Sequence, residues 1–95
     1  MRTIHLRTKF KKDYKLALKR GCDPTKLEAI LELLVEDQPL PERNRNHQLT
    51  GDYIGKMECH ISPDWLLIYE LVDREGDEEN QIILWRTGTH SDLFK

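Results

Sequence analysis

The stretch that decides the fold is "WLLIYELV", Trp65–Val72. Apolar residues occupy both sets of alternating positions, whereas a strand with one face in water alternates apolar and polar residues. This pattern is typical of a central strand that is covered on both faces. The flanking sequence must therefore supply neighbouring strands as well as the elements that cover the sheet.

Two further strand-like segments flank this one. Lys56–Ile61 alternates, and the sequence of Gln81–Thr87, "QIILWRT", resembles that of a buried strand. The connections "SPD" (62–64) and "DREGDEEN" (73–80) have the composition of hairpin turns. We therefore predict an antiparallel meander, in which the first of these strands has one apolar face (Met57, Cys59 and Ile61) and one polar face (Lys56, Glu58 and His60).

The N-terminal half predicts a short strand and a helical hairpin. Thr3–Arg7 alternates with period two, and "KFKKDYKLALKRG" (9–21) has helical spacing that ends at a glycine. Asp23 and Pro24 suit the start of a second helix. The loop "QPLPERNRNHQLTGDYIG" (38–55) precedes the meander. The apolar stripes of the two helices are Phe10, Tyr14, Ala17 and Leu18, and then Leu27, Ile30, Leu31, Leu34 and Val35.

This order predicts an α+β fold, β-α-α-β-β-β, in one domain that spans residues 1–95. The helical hairpin packs on a mainly antiparallel sheet, and a short turn or helix ends the chain. No apolar run approaches the ~20 residues of a membrane helix, so we expect a cytoplasmic protein without a membrane partner. Cys22 and Cys59 form no zinc or redox motif.

Charge is unevenly distributed along the chain. The net charge is −2, but residues 1–50 carry +4 and residues 51–95 carry −6, with five of the acids between Asp73 and Glu79. If that acidic run is a loop tip, the remaining surface is neutral or basic and a nucleic-acid partner is not excluded. Lys11 and Lys15, on the polar face of the first predicted helix, form either a solvated surface or a contact for RNA.

Candidate catalytic residues lie at the ends of the predicted strands. His47 precedes the sheet, His60 lies on the polar face of its strand, Asp64 is in the following turn, and Arg86 and His90 are at the end of the last strand. Strand ends and adjoining loops commonly carry functional residues on a rigid scaffold. His5, on the first strand, is instead interpreted as a surface residue.

Two kinds of chemistry suit this set of residues. The three histidines and Asp64 could bind a metal, although no pair has the close helical spacing of many metal sites. Alternatively, the set could cleave RNA without a metal, with one group activating the 2′-hydroxyl, another protonating the leaving 5′-oxygen and Arg86 holding the phosphate. Phe94 and Trp65 could stack on bases or could belong to the core.

Three stretches carry a resemblance to a known family: "NHQLTGDYIG" (46–55), "CHISPDWLLIYEL" (59–71) and "RTGTHSDLF" (86–94). In this order and spacing the chain resembles the YafQ-type mRNA interferase toxins of the RelE superfamily, the toxin halves of bacterial type II toxin–antitoxin pairs. The resemblance covers nearly the whole chain. It implies a ribosome-dependent endoribonuclease that inhibits translation, and a small sheet flanked by helices.

The resemblance also implies roles for residues and partners. His47 and His60 would be active-site histidines beside Asp64, Arg86 the phosphate-binding cation, and His90 a catalytic histidine that serves as general acid. Phe94 would contact the scissile nucleotide, and Trp65 matches the family tryptophan that follows the aspartate. No metal or other cofactor would be required. The implied partners are a cognate antitoxin, mRNA on the ribosome and, only through the antitoxin complex, operator DNA.

Two alternatives stay open on the sequence alone. The chain could be a catalytically weak family member that mainly binds its antitoxin and acts as corepressor of its own operon. It could also be a metal-dependent hydrolase, an interpretation that rests only on the number of histidines. A chelator distinguishes this second alternative from the metal-free nuclease.

Overall fold

Five strands form one mixed sheet in the computed structural model, which describes residues 1–76 and 79–94. The elements are β1 (Thr3–Leu6), α1 (Thr8–Lys19), α2 (Pro24–Val35), β2 (His47–Gln48), β3 (Met57–Ser62), β4 (Trp65–Val72), β5 (Gln81–Gly88) and α3 (His90–Leu93), with 3-10 turns at Glu42–Asn44 and Gly51–Tyr53. The sheet order is β1-β5-β4-β3-β2, with β1 parallel to β5 and all other pairs antiparallel. The predicted α+β fold is confirmed, with "WLLIYELV" as the central strand.

The helical hairpin forms because both of its ends are encoded locally. Gly21 follows α1 with φ of 89°, a conformation that glycine adopts without steric cost. Asp23 caps α2 by accepting a hydrogen bond from the Thr25 backbone N–H at 3.0 Å. The apolar stripes of both helices then pack on one face of the sheet, in a core of Phe10, Ala17, Leu27, Ile30, Leu34, Cys59, Ile61, Trp65, Leu67, Tyr69, Ile82 and Leu84.

The opposite face of the sheet has a smaller apolar cluster. Leu66 and Ile68 of β4 are fully buried there against Leu93 of α3, with Leu49, Tyr53 and Trp85 around them. A loop and a short helix cover this face, rather than a helical hairpin. Both faces of β4 are thus buried, which explains its continuous apolar run, while polar residues at the margin of the smaller cluster stay accessible.

The structure differs from the prediction in two respects. β2 was not predicted, because a two-residue polar strand is too short to show a period. Ile4, Leu6 and Leu18 keep more than 40% of their surface exposed, although their positions indicated apolar faces. The acidic hairpin predicted over 73–80 includes Asp77 and Glu78, which lie outside the described residues. Among the helices that the structure describes, none has the length and apolarity to cross a membrane.

Candidate active site

Strand β2 brings His47 to the polar face of β3. His47 pairs with Glu58 across the two strands, and its Nε2 lies 3.4 Å from Glu58 Oε1. The other ring nitrogen, Nδ1, lies 2.7 Å from the Arg45 carbonyl oxygen. Because a carbonyl only accepts, Nδ1 carries a hydrogen in this arrangement. The ring is thereby oriented with Nε2 toward the sheet.

Glu58 is a site residue that sequence reasoning missed. Its side chain is only 5% exposed and faces two histidines, since His60 Nε2 also lies within 3.9 Å of Oε1. The alternation of β3 placed Glu58 and His60 on one face, and that was the signal available. A buried carboxylate is unfavourable unless it is paired with cations or hydrogen-bond donors, so its burial between two imidazoles is a specific feature of this site.

His90 approaches the same face of the sheet from the first turn of α3, which follows β5. Thr89 caps this helix in a reciprocal capping box with Asp92. The His90 ring lies 5.7 Å from the His60 ring, centroid to centroid, and its Nδ1 is 3.8 Å from Asp64 Oδ1. The structure therefore brings together His47, Glu58, His60, Asp64 and His90, which we call the histidine cluster.

An aromatic row extends from the histidine cluster. The Phe94 ring lies 6.2 Å from the His90 ring, and the Tyr53 ring lies 5.8 Å from the Phe94 ring. Phe94 keeps 41% of its surface exposed. An exposed ring beside the histidine cluster suits base stacking, so the predicted contact of Phe94 with RNA stays a prediction that this position allows. Tyr53 is a second aromatic residue at this site, and it was not among the predicted site residues.

Arg86 has a protein partner. Its Nε and Nη2 donate to Oδ2 and Oδ1 of Asp13 at 2.6 and 3.2 Å. The pKa of Arg86 is raised, chiefly by the hydrogen bond to Asp13 and to a smaller extent by the nearby Tyr53. Tyr53 and Arg86 line the same pocket, so Tyr53 lies between the arginine and the aromatic row. Asp13 was not a candidate at the sequence level, because 73 residues separate it from Arg86.

Trp65 requires a correction. It was predicted to contact RNA, but it is only 3% exposed and packs in the main core. A base cannot stack on a ring whose faces are covered by neighbouring side chains, so we remove Trp65 from the RNA-binding set. Lys11 and Lys15 are exposed on α1, and their contact with RNA stays a prediction.

The histidine cluster also has the donors for a metal ion. One ligand atom each from Glu58, His60 and His90 lies within 4.8 Å of the others. Imidazole and carboxylate ligands suit zinc and copper. The same groups suit acid–base catalysis, because an imidazole can serve as either acid or base near neutral pH. Geometry alone allows either use.

Comparisons with known proteins identify the family of the chain. A family model described as "Bacterial toxin of type II toxin-antitoxin system, YafQ" matches residues 2–95. The mRNA interferase toxin YafQ of Escherichia coli (strain K12) is 40% identical over 94 residues, which cover 98% of this chain and 96% of that protein. Two solved structures are also similar, each at 38% identity: the E. coli DinJ-YafQ complex (TM-score 0.79, 100% of both chains) and a metal-bound toxin from Helicobacter pylori (TM-score 0.86, 99% of this chain and all of that one).

Proposed function

Because the chain belongs to the YafQ family of bacterial type II toxins, we propose that it is an endoribonuclease that cleaves translated mRNA. The observation that carries this proposal is the facing pair His60 and His90, 5.7 Å apart, each beside its own carboxylate. Two titratable rings at this separation can serve one phosphodiester from two sides. The pairing of each ring with a separate carboxylate supports different roles for the two.

The cleavage step that fits these residues is transesterification within the RNA strand. A base of the histidine cluster removes the proton of the ribose 2′-hydroxyl, whose oxygen attacks the adjacent phosphorus. The bond to the 5′-oxygen breaks, and His90 as general acid protonates that oxygen. Arg86 offsets the charge that develops on the phosphoryl oxygens. The products are a 2′,3′-cyclic phosphate and a 5′-hydroxyl, so the step consumes no water.

His60 is the residue we assign as the base. It faces His90, and its side chain is 13% exposed against 57% for His90. The more accessible ring can deliver a proton to a leaving group on the solvent side. Glu58 lies beside both His47 and His60, and Asp64 lies beside His90. We assign these two carboxylates the role of orienting the imidazole rings.

The partners follow from the family and from the position of the site. The related E. coli toxin forms a complex with DinJ, and we propose that a cognate antitoxin binds this chain as well. Operator DNA is contacted only through that complex. The substrate is mRNA in the ribosome, which places the protein in the cytoplasm. An accessible histidine cluster at the sheet margin suits a substrate that is presented by a large partner.

The test of the proposal is single-turnover cleavage on programmed ribosomes. His90→Ala should lower the rate by about 10²–10⁴, the usual contribution of a general acid, with an unchanged circular dichroism spectrum. His5→Ala is the matched control, because His5 is an exposed histidine on the far edge strand. Folded His90→Ala protein that cleaves within threefold of the wild type would show that the catalytic assignment is wrong.

A chelator separates this mechanism from the metal-dependent one. Cleavage should persist in excess EDTA when the ribosomes are kept intact by added polyamines, because the proposed acid, base and cation are all side chains. Activity that disappears with EDTA and returns only with zinc or copper would assign the cluster of Glu58, His60 and His90 to a required metal.

A further inference from the structure

Helix α1 contacts the catalytic region at two points. Asp13 and Arg20 are seven residues apart and therefore lie on one face of the helix, separated by about 10 Å along its axis. Asp13 reaches the end of β5, and Arg20 reaches α3. These are the two elements that carry Arg86 and His90.

The first contact fixes the orientation of Arg86. The Asp13 carboxylate accepts hydrogen bonds from Nε and Nη2, which form one edge of the Arg86 guanidinium. Its Oδ2 also accepts a hydrogen bond from the Thr87 backbone N–H at 3.3 Å. Both side chains are mostly buried, with 18% and 22% exposure. Because the Nε edge is occupied, Nη1 and the second hydrogen of Nη2 are the donors directed away from Asp13. The Asp13 carboxylate thus determines which hydrogen-bond donors of Arg86 are available to bind a phosphate.

The second contact fixes the start of α3. Arg20 Nη1 donates to Asp92 Oδ2 at 2.7 Å, and the same oxygen accepts the Thr89 backbone N–H at 3.0 Å. Asp92 in turn donates its backbone N–H to Thr89 Oγ1. The pKa of Asp92 is lowered to about 2, chiefly by the hydrogen bond from Arg20. Arg20 therefore stabilises the capping box at the start of α3. This capping box in turn orients His90, the first residue of the helix.

The two ion pairs lie beside the apolar contact between α1 and β5. Phe10 and Ala17 of α1 are buried in the main core together with Ile82 and Leu84 of β5. A cleft of about 180 Å³ opens between the two ion pairs, lined on the helix side by Leu16 and Ala17 and on the other by Thr87 and Gly88. At this cleft the two ion pairs, rather than apolar side chains, join the helix to the ends of β5 and α3.

We propose that Asp13 and Arg20 are positioning residues for the cleavage reaction, Asp13 through Arg86 and Arg20 through Asp92 and His90. The inference rests on the proposed nuclease function. Neither residue touches the substrate. Their role is to keep the phosphate-binding edge of Arg86 and the ring of His90 in fixed relation, because a displacement of about 1 Å from the reactive geometry can cost up to ~10² in rate.

The first experiment separates positioning from binding. Asp13→Asn and Arg20→Met should lower the single-turnover rate at saturating ribosomes by about 10- to 100-fold, with affinity for ribosomes changed less than threefold. The matched controls are Glu32→Gln and Lys26→Met, on the exposed surface of α2, which should stay within twofold of the wild type. Arg20→Lys should restore most of the rate, since Arg20 makes a single hydrogen bond to Asp92 that an ammonium can replace. Asp13→Asn and Arg20→Met variants that fold and cleave at the wild-type rate would overturn the proposal.

A double-mutant cycle distinguishes positioning from a general loss of stability. If Asp13 acts through Arg86, Asp13→Asn should cause no further loss of rate in an Arg86→Ala background. By the same reasoning, Arg20→Met should have no further effect in a His90→Ala background. Rate losses that multiply fully in both backgrounds would show a merely structural role and would contradict the proposal.

An NMR measurement tests the contact between Asp13 and Arg86 without relying on cleavage activity. The Nε–H of Arg86 should give a resolved, slowly exchanging proton–nitrogen NMR signal, assigned by its loss in Arg86→Lys. Asp13→Asn should shift this signal and accelerate its exchange, whereas Glu32→Gln should leave it unchanged. If the wild type fails to cleave RNA but the signal responds, the nuclease proposal fails while the Asp13–Arg86 contact stands. An unchanged signal in Asp13→Asn overturns the positioning role of Asp13.

Discussion

At the residue scale, neighbours decide what each candidate side chain can do. His60 and His90 are chemically identical, but one is largely buried beside Glu58 while the other is exposed beside Asp64. Arg86 offers only part of its guanidinium, because Asp13 occupies one edge. The roles we assign therefore derive from partners and accessibility.

Gly88 illustrates how a residue without a side chain supports the site. Its φ is 155°, and a Cβ added there would lie 2.9 Å from Asp92 Oδ2. Gly88→Ala should destabilise the protein by about 1–3 kcal/mol and also reduce cleavage, because Asp92 must move. Gly21→Ala is the matched control: it also has positive φ but open space around it, so it should cost stability without reducing the rate. Urea denaturation and single-turnover cleavage of both variants test this, and equal rates in both would contradict it.

Asp92 predicts a pH dependence of stability. Its pKa in the folded protein is lowered to about 2 from 3.8, so the ionised form stabilises the fold above about pH 4. That contribution is lost as the pH falls through about 2. The wild type should therefore be more stable than Asp92→Asn at pH 5, and the difference should shrink between pH 4 and pH 2.

Urea denaturation of the two proteins at several pH values measures this difference. Glu32→Gln, which changes an exposed carboxylate of α2 in the same way, serves as the control for the loss of one charge. A difference between wild type and Asp92→Asn that stays constant from pH 5 to pH 2 would contradict the assigned contribution.

At the element scale, the central strand organises the site through both of its faces. Leu66 and Ile68 support the small cluster under α3, while Tyr69 faces the helical hairpin. The Tyr69 hydroxyl donates to Asn46 Oδ1, and Asn46 precedes His47. Tyr69, a core residue of β4, thereby fixes the loop that carries His47.

Tyr69→Phe removes this anchor with little change in volume. We expect a loss of about 1 kcal/mol in the free energy of unfolding, the usual net value of one hydrogen bond, and a lower cleavage rate because His47 loses support. Tyr14→Phe, on α1, is the matched control and should leave the rate unchanged. Chemical denaturation and ribosome cleavage measure the two effects, and a Tyr69→Phe rate equal to that of Tyr14→Phe would contradict the anchoring role.

At the scale of the whole molecule, the two faces of the sheet have separate tasks. The helical hairpin closes the main core on one face, and the other face carries the smaller apolar cluster together with the histidine cluster. The basic N-terminal half contributes α1, whose exposed lysines can meet RNA while Asp13 and Arg20 hold the catalytic elements. One helix would then serve both binding and positioning.

If the lysines of α1 contact RNA, the affinity of the protein for ribosomes should depend on salt concentration through them. Replacement of both Lys11 and Lys15 by glutamine should weaken binding to ribosomes and reduce the slope of log affinity against log salt by about two, because each lysine would neutralise one phosphate. The rate at saturating ribosomes should stay the same. Lys26→Gln, on α2, is the control. Binding measured at about 50 to 200 mM salt tests the prediction, and an unchanged slope would remove α1 from the RNA-binding surface.

The sequence by itself determined the elements, the fold class and the family. Periodicity, caps and turns depend on residues within a few positions of each other, so the helical hairpin, the central strand and the three-strand meander were predictable. The histidines, Asp64, Arg86 and Phe94 could be named because loops and strand ends on a rigid scaffold commonly carry functional residues, and because the family resemblance points to the same positions. The motifs in 46–55, 59–71 and 86–94 predicted the family, which the comparisons confirm.

Only the tertiary structure decided which groups meet. Glu58 joined the site because β2 pairs with β3, and Asp13 reached Arg86 across 73 residues of sequence. Trp65 was buried because α1 and α2 cover its face of the sheet. These facts depend on strand register and on the packing of distant elements. A local pattern contains no information about either, because the free energy that fixes them comes from interactions formed only when the whole chain folds.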